Sequence, residues 1–347
     1  AVVKLNARRL EHEKMVLEGI VAERTAEVVK QKEEIEEKAN QLKIANVEIN
    51  EQKEEIQAQA DHLKEVNEVI TNQNTEITKQ KEELEHKNRE ITDSINYAQR
   101  IQKAVMPPKE FVNQYLPENF ILLRPRDIVS GDFYWMTRKK GKNDTGDTII
   151  ICAADCTGHG VPGAFMSMLG VSFLNEIVNK FDISQANLIL NELRTSVKKS
   201  LRQTGKSGEA KDGMDIALCV INVETMTMQY AGAYNPLLLI RNNEVLKWKA
   251  DKMPIGIYIR EKESFTNHEI ELQHGDTFYI FSDGYIDQFG GEKGGKFMIK
   301  NFKQLLLDIH HKPMQEQKQI LNKRIEEWMG SNYDQIDDML IIGVKIP

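Results

Sequence analysis

The chain has 347 residues, a formal net charge of −7, 40% hydrophobic residues and three cysteines, enough apolar material for one large or two modest domains. Residues 21–105 hold 13 Lys and Arg against 19 Asp and Glu, so most of the charge lies there, and the nearly neutral remainder argues against nucleic acid as a main partner. Cys152, Cys156 and Cys219 form no CxxC pair, which argues against a disulfide framework, and the longest apolar run noticed, TIIICAA, is strand-sized.

Two physical regimes follow one another. All nine prolines, all three tryptophans and nearly every glycine lie after residue 105. Before it, positions 35, 42, 49, 56, 63, 70, 77, 84 and 91 read Ile, Leu, Ile, Ile, Leu, Ile, Ile, Leu, Ile, and Val28 and Val21 continue the interval backward. An aliphatic every seven residues is the d seam of a coiled coil. The a positions are Ala39, Asn46, Lys53, Ala60, Asn67, Asn74, Lys81 and Asn88. Asparagine facing its own copy is best satisfied in a parallel, in-register dimer, so residues 1–105 read as a parallel dimeric coiled coil of modest stability. Some 85 helical residues would make a rod of about 125 Å.

Near residue 91 the spacing changes to Ile91, Ile95, Ala98, Ile101, Val105, and Pro107 and Pro108 stop the helix. Residues 91–105 are therefore a candidate docking segment, and 106–117 read as a linker. From 118 to 347 the chain carries short β-rich runs: NFILLRP, GDFYWMT, DTIIICAAD, DIALCVIN, MQYAGA, PLLLIR, VLKWKA, HEIELQ, DTFYIFSD and DMLIIGVKI. Short Gly, Asn and Asp turns between them favour antiparallel hairpins over crossovers. Helices are expected over 162–180, 184–202, 299–309 and 314–329. The fold class is α+β, with two antiparallel sheets packed face to face and helices outside.

The stretch AADCTGHGVPGAF, residues 153–165, raises the question of chemistry. Cys152, Cys156 and His159 lack a fourth soft ligand, which disfavours zinc, and no base is marked to activate a thiol. His159, between glycines, reads as a local hydrogen-bonding residue. Asp155 remains, at the end of an apolar strand. Asp132 in VSGDFYW, Asp283 in YIFSDGY, and Asp337 and Asp338 in QIDDMLIIG repeat the theme. One such carboxylate is usually a turn former, but several gathered together would need neutralising, and oxygen-only ligands suit Mg²⁺ or Mn²⁺.

SGDFYW, ADCTGHGVPGAFMSMLG, YAGAYNPLLLIR, MPIGIY, GDTFYIFSDGYIDQ and DDMLIIGVK resemble, in order and spacing, the metal-dependent serine/threonine phosphatases of the protein phosphatase 2C superfamily, most closely its SpoIIE-like branch. The resemblance covers residues 118–347. It implies an αββα sandwich with two Mn²⁺ or Mg²⁺ ions. Asp155 would bridge both ions and the main-chain carbonyl of Cys156 would complete one shell. Asp283 and Asp337 would be direct ligands, and Asp132 a further ligand or a holder of water at the centre. Asp337 is preferred to Asp338 because the family uses the first of the pair, and successive strand side chains point oppositely. Two ions suffice for phosphoryl transfer, so no side-chain nucleophile is expected. Arg124 or Arg126 could steer phosphate or simply face solvent. Leu340 replaces the family's threonine, and YAGAYNP departs from the common NAGHNP, read here with one extra residue. Residues 287–297, DQFGGEKGGKF, are a mobile flap or a surface hairpin.

The resulting expectation is a serine/threonine protein phosphatase acting on a bacterial signalling phosphoprotein, an anti-sigma-factor antagonist, and regulated through the coil by an upstream sensor. It would be cytoplasmic, or the cytoplasmic part of a membrane-anchored sensor. Two alternatives compete: a nucleotide cyclase-type output, from the superficial likeness of SGDF to GGDEF, and a catalytically silent dimeric scaffold.

Overall fold

The computed structural model of the chain describes residues 2–141, 146–206 and 211–347. Two compact units are formed, Ala1–Asn88 and Arg89–Pro347. The first is helical from Val2 onward. Helix α1 spans Val2–Val105, so its last turns belong to the second unit. Glu, Lys, Gln and Ala dominate its sequence and no proline interrupts it, which favours helix at every turn. Exposed pairs one turn apart, such as Lys87–Glu83 at 2.8 Å, add a few tenths of a kcal/mol each.

In the second unit, α2 (Lys109–Tyr115) is followed by β1 (Asn119–Arg124), β2 (Phe133–Lys139), β3 (Thr148–Cys156), α3 (Gly160–Asn175) and α4 (Ala186–Ser200). Next come β4 (Met214–Asn222), β5 (Thr227–Ala233), β6 (Leu237–Arg241), β7 (Glu244–Trp248), β8 (His268–Glu271) and β9 (Thr277–Phe281). The chain ends with α5 (Gly284–Asp287), β10 (Phe289–Gly290), β11 (Gly295–Lys296), α6 (Ile299–Ile309), α7 (Met314–Met329) and β12 (Met339–Lys345). One antiparallel sheet has the order β2-β3-β4-β5-β8 and the other β1-β12-β9-β6-β7.

Strand periodicity builds the layers. In β3, Ile150, Cys152 and Ala154 face α3 and α4, whereas Ile149, Ile151 and Ala153 face the other sheet. In β12, Leu340, Ile342 and Val344 enter that same inter-sheet core, while Met339 and Ile341 pack under α6 and α7. Each fully buried aliphatic side chain contributes roughly 1.5–3 kcal/mol. The result is the expected αββα sandwich.

Three details refine the sequence reading. The stretch 106–117, read as a linker, carries α2, and its Val112 and Leu116 are buried in the inter-sheet core. Gly160–Lys180, α3 and a following π-helical turn, is long and apolar enough by composition to cross a membrane, with a mean hydropathy of 1.4, although no such run was read from the sequence. Leu174, Ile177 and Val178 bury it against the sheet, which makes it a core helix. Residues 287–297 form the β10–β11 hairpin, against which Trp328 packs: Gly291 N–H donates to the Trp328 carbonyl at 2.8 Å.

Candidate active site

The carboxylates singled out in the sequence come from both sheets. Asp155 is the last residue but one of β3, Asp132 immediately precedes β2, Asp283 follows β9, and Asp337 precedes β12. Asp155, Cys156, Thr157, Gly158, His159, Asp215, Asp283 and Asp337 line one cavity of about 240 Å³. The loops approach closely to make it. A Cβ on Gly131 would stand 2.6 Å from the Gly158 carbonyl oxygen, so only glycine permits the 127–132 loop to lie against the 156–160 turn.

Asp338 is buried and holds this arrangement from behind: its Oδ1 accepts from Arg126 N–H at 2.7 Å and its Oδ2 from Gly131 N–H at 2.6 Å. Asp337, one residue earlier, faces the cavity instead. Asp132 is buried behind the cavity lining and accepts a hydrogen bond from Ser282 Oγ at 2.6 Å. Ser282 Oγ in turn accepts from Leu340 N–H at 2.9 Å. Leu340, which occupies the family's threonine position, points into the inter-sheet core and not into the cavity.

Electrostatically the site is short of positive charge. Burial, and then the neighbouring Asp132, Asp283, Asp337 and Asp215 carboxylates, push Asp155 up to about 11. Burial and Asp283 push Asp215 up to about 7. Burial first, and other carboxylates after it, also raise Asp132, Asp283 and Asp337. Asp155 and Asp283 line the same cavity and the charge of Asp283 is among those that raise Asp155, so the two are not both charged without a shared proton or a cation. No Lys or Arg is among the cavity-lining residues.

This all-oxygen donor set fits hard divalent ions. Among the described residues no three acidic, His or Cys side chains are already gathered as one ion's ligands.

Of the other candidates, Arg126 lies near enough to Asp337 for its charge to act against that carboxyl's rise. Burial and the surrounding carboxylates push the Cys156 thiol well up, leaving it unreactive. Thr157 Oγ1 is engaged with the main chain of Gly213, at 3.2 Å to its carbonyl and 3.1 Å to its N–H. His159 Nδ1 pairs with Asp127 Oδ2 at 2.8 Å. Arg124 is committed to Glu326 at 2.8 Å and to Gln335 at 2.8 Å, so it does not steer phosphate. Asp215 was missed in the sequence. It opens an apolar strand after Gly213, where a carboxylate reads as a turn former, and only the pairing of β3 with β4 sets it opposite Asp155.

The docking segment also differs from expectation. Of its apolar stripe, Ile91, Ile101 and Val105 remain 58%, 40% and 40% exposed. The grip is polar instead. Gln102 is buried; its Nε2 donates to the Ser130 carbonyl at 2.6 Å and to Ser167 Oγ at 2.8 Å, and its Oε1 accepts from Ser130 N–H at 3.2 Å. Gln99 Nε2 donates to the Ile128 carbonyl. Both glutamines thus hold the loop that leads into Asp132.

Comparison with known proteins matches residues 145–347 to the family of Stage II sporulation protein E, SpoIIE. Among solved structures, the SiaA-PP2C domain of Pseudomonas aeruginosa is 31% identical, with 75% of this chain and 98% of that chain covered and a TM-score of 0.66. The PP2C phosphatase domain of SpoIIE from Bacillus subtilis, solved with a fragment of its regulatory domain, is 19% identical, with 66% of this chain and 63% of that chain covered and a TM-score of 0.53, a likeness of fold. No curated protein matches.

Proposed function

This chain belongs to the SpoIIE family and is a PP2C-type serine/threonine phosphatase, and from that premise we propose that it dephosphorylates phosphoserine or phosphothreonine on a bacterial signalling protein of the anti-sigma-factor antagonist class. The observation that carries this reading is the acidic cavity, where carboxylates far apart in sequence meet with no Lys or Arg among the lining residues. A cyclase output and a silent scaffold fall away with the family assignment.

Asp155, Asp283 and Asp337, with the main-chain carbonyl of Cys156, would hold two Mn²⁺ or Mg²⁺ ions. Asp132, fixed by Ser282, would support them from behind, and Asp215 joins the set by position. Bound ions supply charge that offsets the phosphoryl oxygens and the carboxylates alike. The protein itself contributes no nucleophile: the thiol of Cys156 stays protonated and the hydroxyl of Thr157 is tied to Gly213. Water is then the attacking group. The test is phosphate release from a phosphoserine protein and from p-nitrophenyl phosphate with Mn²⁺ or Mg²⁺; activity that persists undiminished in Asp155→Asn would overturn the assignment.

Two copies are proposed to pair in parallel along α1. In support, the nine aliphatics of the seven-residue seam are 46% to 65% exposed on the single chain, which isolated burial rules do not favour for so regular a stripe. Regulation is proposed to act through Gln99 and Gln102: a change in coil register or twist, imposed by an upstream sensor, would shift residues 91–105 and thereby the loop before Asp132. The three cysteines, all free and buried, agree with a cytoplasmic setting.

A further inference from the structure

The row of residues that contains Asp155 and Asp215 continues beyond the carboxylates. Asp155 stands opposite Asp215 across β3 and β4, and Ile216 stands opposite Ala233 across β4 and β5. The same register brings Tyr234, the residue after Ala233, beside Asp215, and Tyr234 feels the charge of that carboxylate. Next to it is Tyr258, whose loop is tied to the same strand through the bridge between Met214 and Ile255. The two rings meet edge to face, centroids 6.4 Å apart at 87°.

Tyr234 reaches this position at a cost. Its φ is +54°, the left-handed region that disfavours a bulky side chain, and Asn235 N–H donates to the Ala233 carbonyl at 2.6 Å, closing a three-residue turn around it. The surroundings impose the turn. Tyr234 N–H donates to the Asp251 carbonyl at 2.9 Å, Asp251 N–H to Gly232 at 2.9 Å, and the buried Tyr230 hydroxyl to the Asn235 carbonyl at 2.6 Å. Strain of this kind is ordinarily offset by burying the side chain it positions. Here the ring stays 41% exposed, Tyr258 is 36% exposed, and the adjoining Ile259 is 93% exposed. Backbone strain that serves no burial points to presentation.

We propose that Tyr234 and Tyr258 form an aromatic ledge that determines substrate preference, taking the apolar or aromatic side chain beside the phosphorylated residue while the phosphate enters the acidic cavity. This rests on the phosphatase reading given above. The occupant is a polypeptide segment because Tyr234 follows Ala233, the residue opposite Ile216, and so lies next in register to Asp215, which lines the cavity. An aromatic pair of this type gains most from a flat or branched apolar side chain.

The experiment compares two phosphoserine peptides, identical except that the residue beside the phosphoserine is Phe in one and Gly in the other, with p-nitrophenyl phosphate as a check on the cavity. For the wild-type full chain with Mn²⁺, the Phe peptide is expected to have a KM lower by about tenfold. In Tyr234→Gly that ratio should fall to about one, and the melting temperature should be no lower than that of the wild type, because glycine adopts the turn without steric cost. Tyr258→Ala should reduce the ratio as well. The ledge is refuted if the wild type shows no preference, if the preference survives in Tyr234→Gly, or if that variant melts lower, which would make the tyrosine a packing residue. Should the wild type hydrolyse neither peptide, the protein-phosphatase reading fails and the ledge falls with it.

Discussion

Replacing Gln102 by leucine removes a buried amide of similar length and leaves three main-chain or hydroxyl groups without their partner: the N–H and carbonyl of Ser130 and the hydroxyl of Ser167. Ser167 Oγ keeps its bond to the Ala164 carbonyl at 2.9 Å, so the loss falls mainly on Ser130. A buried polar group left unpaired costs about 1–3 kcal/mol, so two on one residue predict a destabilisation of about 2–6 kcal/mol. That residue adjoins Gly131, whose N–H holds Asp338, and Asp132, which sits behind the cavity. If about 1.4 kcal/mol appears as local opening of the 127–132 loop, its opening constant rises about tenfold, and metal-dependent turnover falls in proportion to the closed fraction that is lost. Urea denaturation measures the first effect. Calorimetric Mn²⁺ titration and p-nitrophenyl phosphate turnover against Mn²⁺, at a temperature where both proteins are folded, measure the second. A leucine variant within about 0.5 kcal/mol of wild type, with the same half-saturating Mn²⁺, would refute the idea that the end of α1 controls the site through this side chain.

Asp155→Asn should abolish Mn²⁺-dependent hydrolysis of p-nitrophenyl phosphate and also weaken Mn²⁺ binding by calorimetry, since it removes the most surrounded carboxylate of the cavity. Arg241→Ala strips Asp276, which is 1% exposed, of its bidentate partner at 2.9 and 2.6 Å and leaves it the Gln273 N–H at 2.8 Å, so urea unfolding should show a clear loss that stays below the about 3–5 kcal/mol of a buried charge left wholly unpaired. Leu63→Asp with Ile70→Asp places charge in the α1 seam and should convert a dimer to a monomer in sedimentation, with the second unit's thermal transition retained. Asp251 supplies a pH test. Burial opposes its charge, but hydrogen bonds from Lys262 and from the N–H and hydroxyl of Thr266 win and hold it below its ordinary 3.8. A depressed carboxylate stabilises the fold above its unfolded value and loses that contribution as pH falls through the folded value, so Asp251→Asn should flatten the decline in stability below about pH 4.

Much of the architecture could be read directly. The limits of α6 and α7 coincide with the expected 299–309 and 314–329, and all ten β-rich runs became strands, because period-two burial and short polar turns are local signals. The apolar stripe at residues 91–105 was a poorer guide. Nothing in a glutamine's neighbours along the chain marks it as buried, yet Gln102 is the residue that grips, since its partners lie 28 and 65 residues away. Asp215 was hidden for a related reason: its partner Asp155 is set by strand pairing, which one sequence does not display.

The sequence alone determined the heptad seam, the two regimes and the order of motifs that carry the family, because spacing along a helix or strand translates directly into which face a side chain occupies. Tertiary structure decided which aspartates share a cavity, that Asp338 serves the backbone while Asp337 faces outward, and that Tyr234 stands exposed in a strained turn beside them. Those outcomes depend on through-space charge, burial and cross-strand register, and each of these joins residues that the chain keeps far apart.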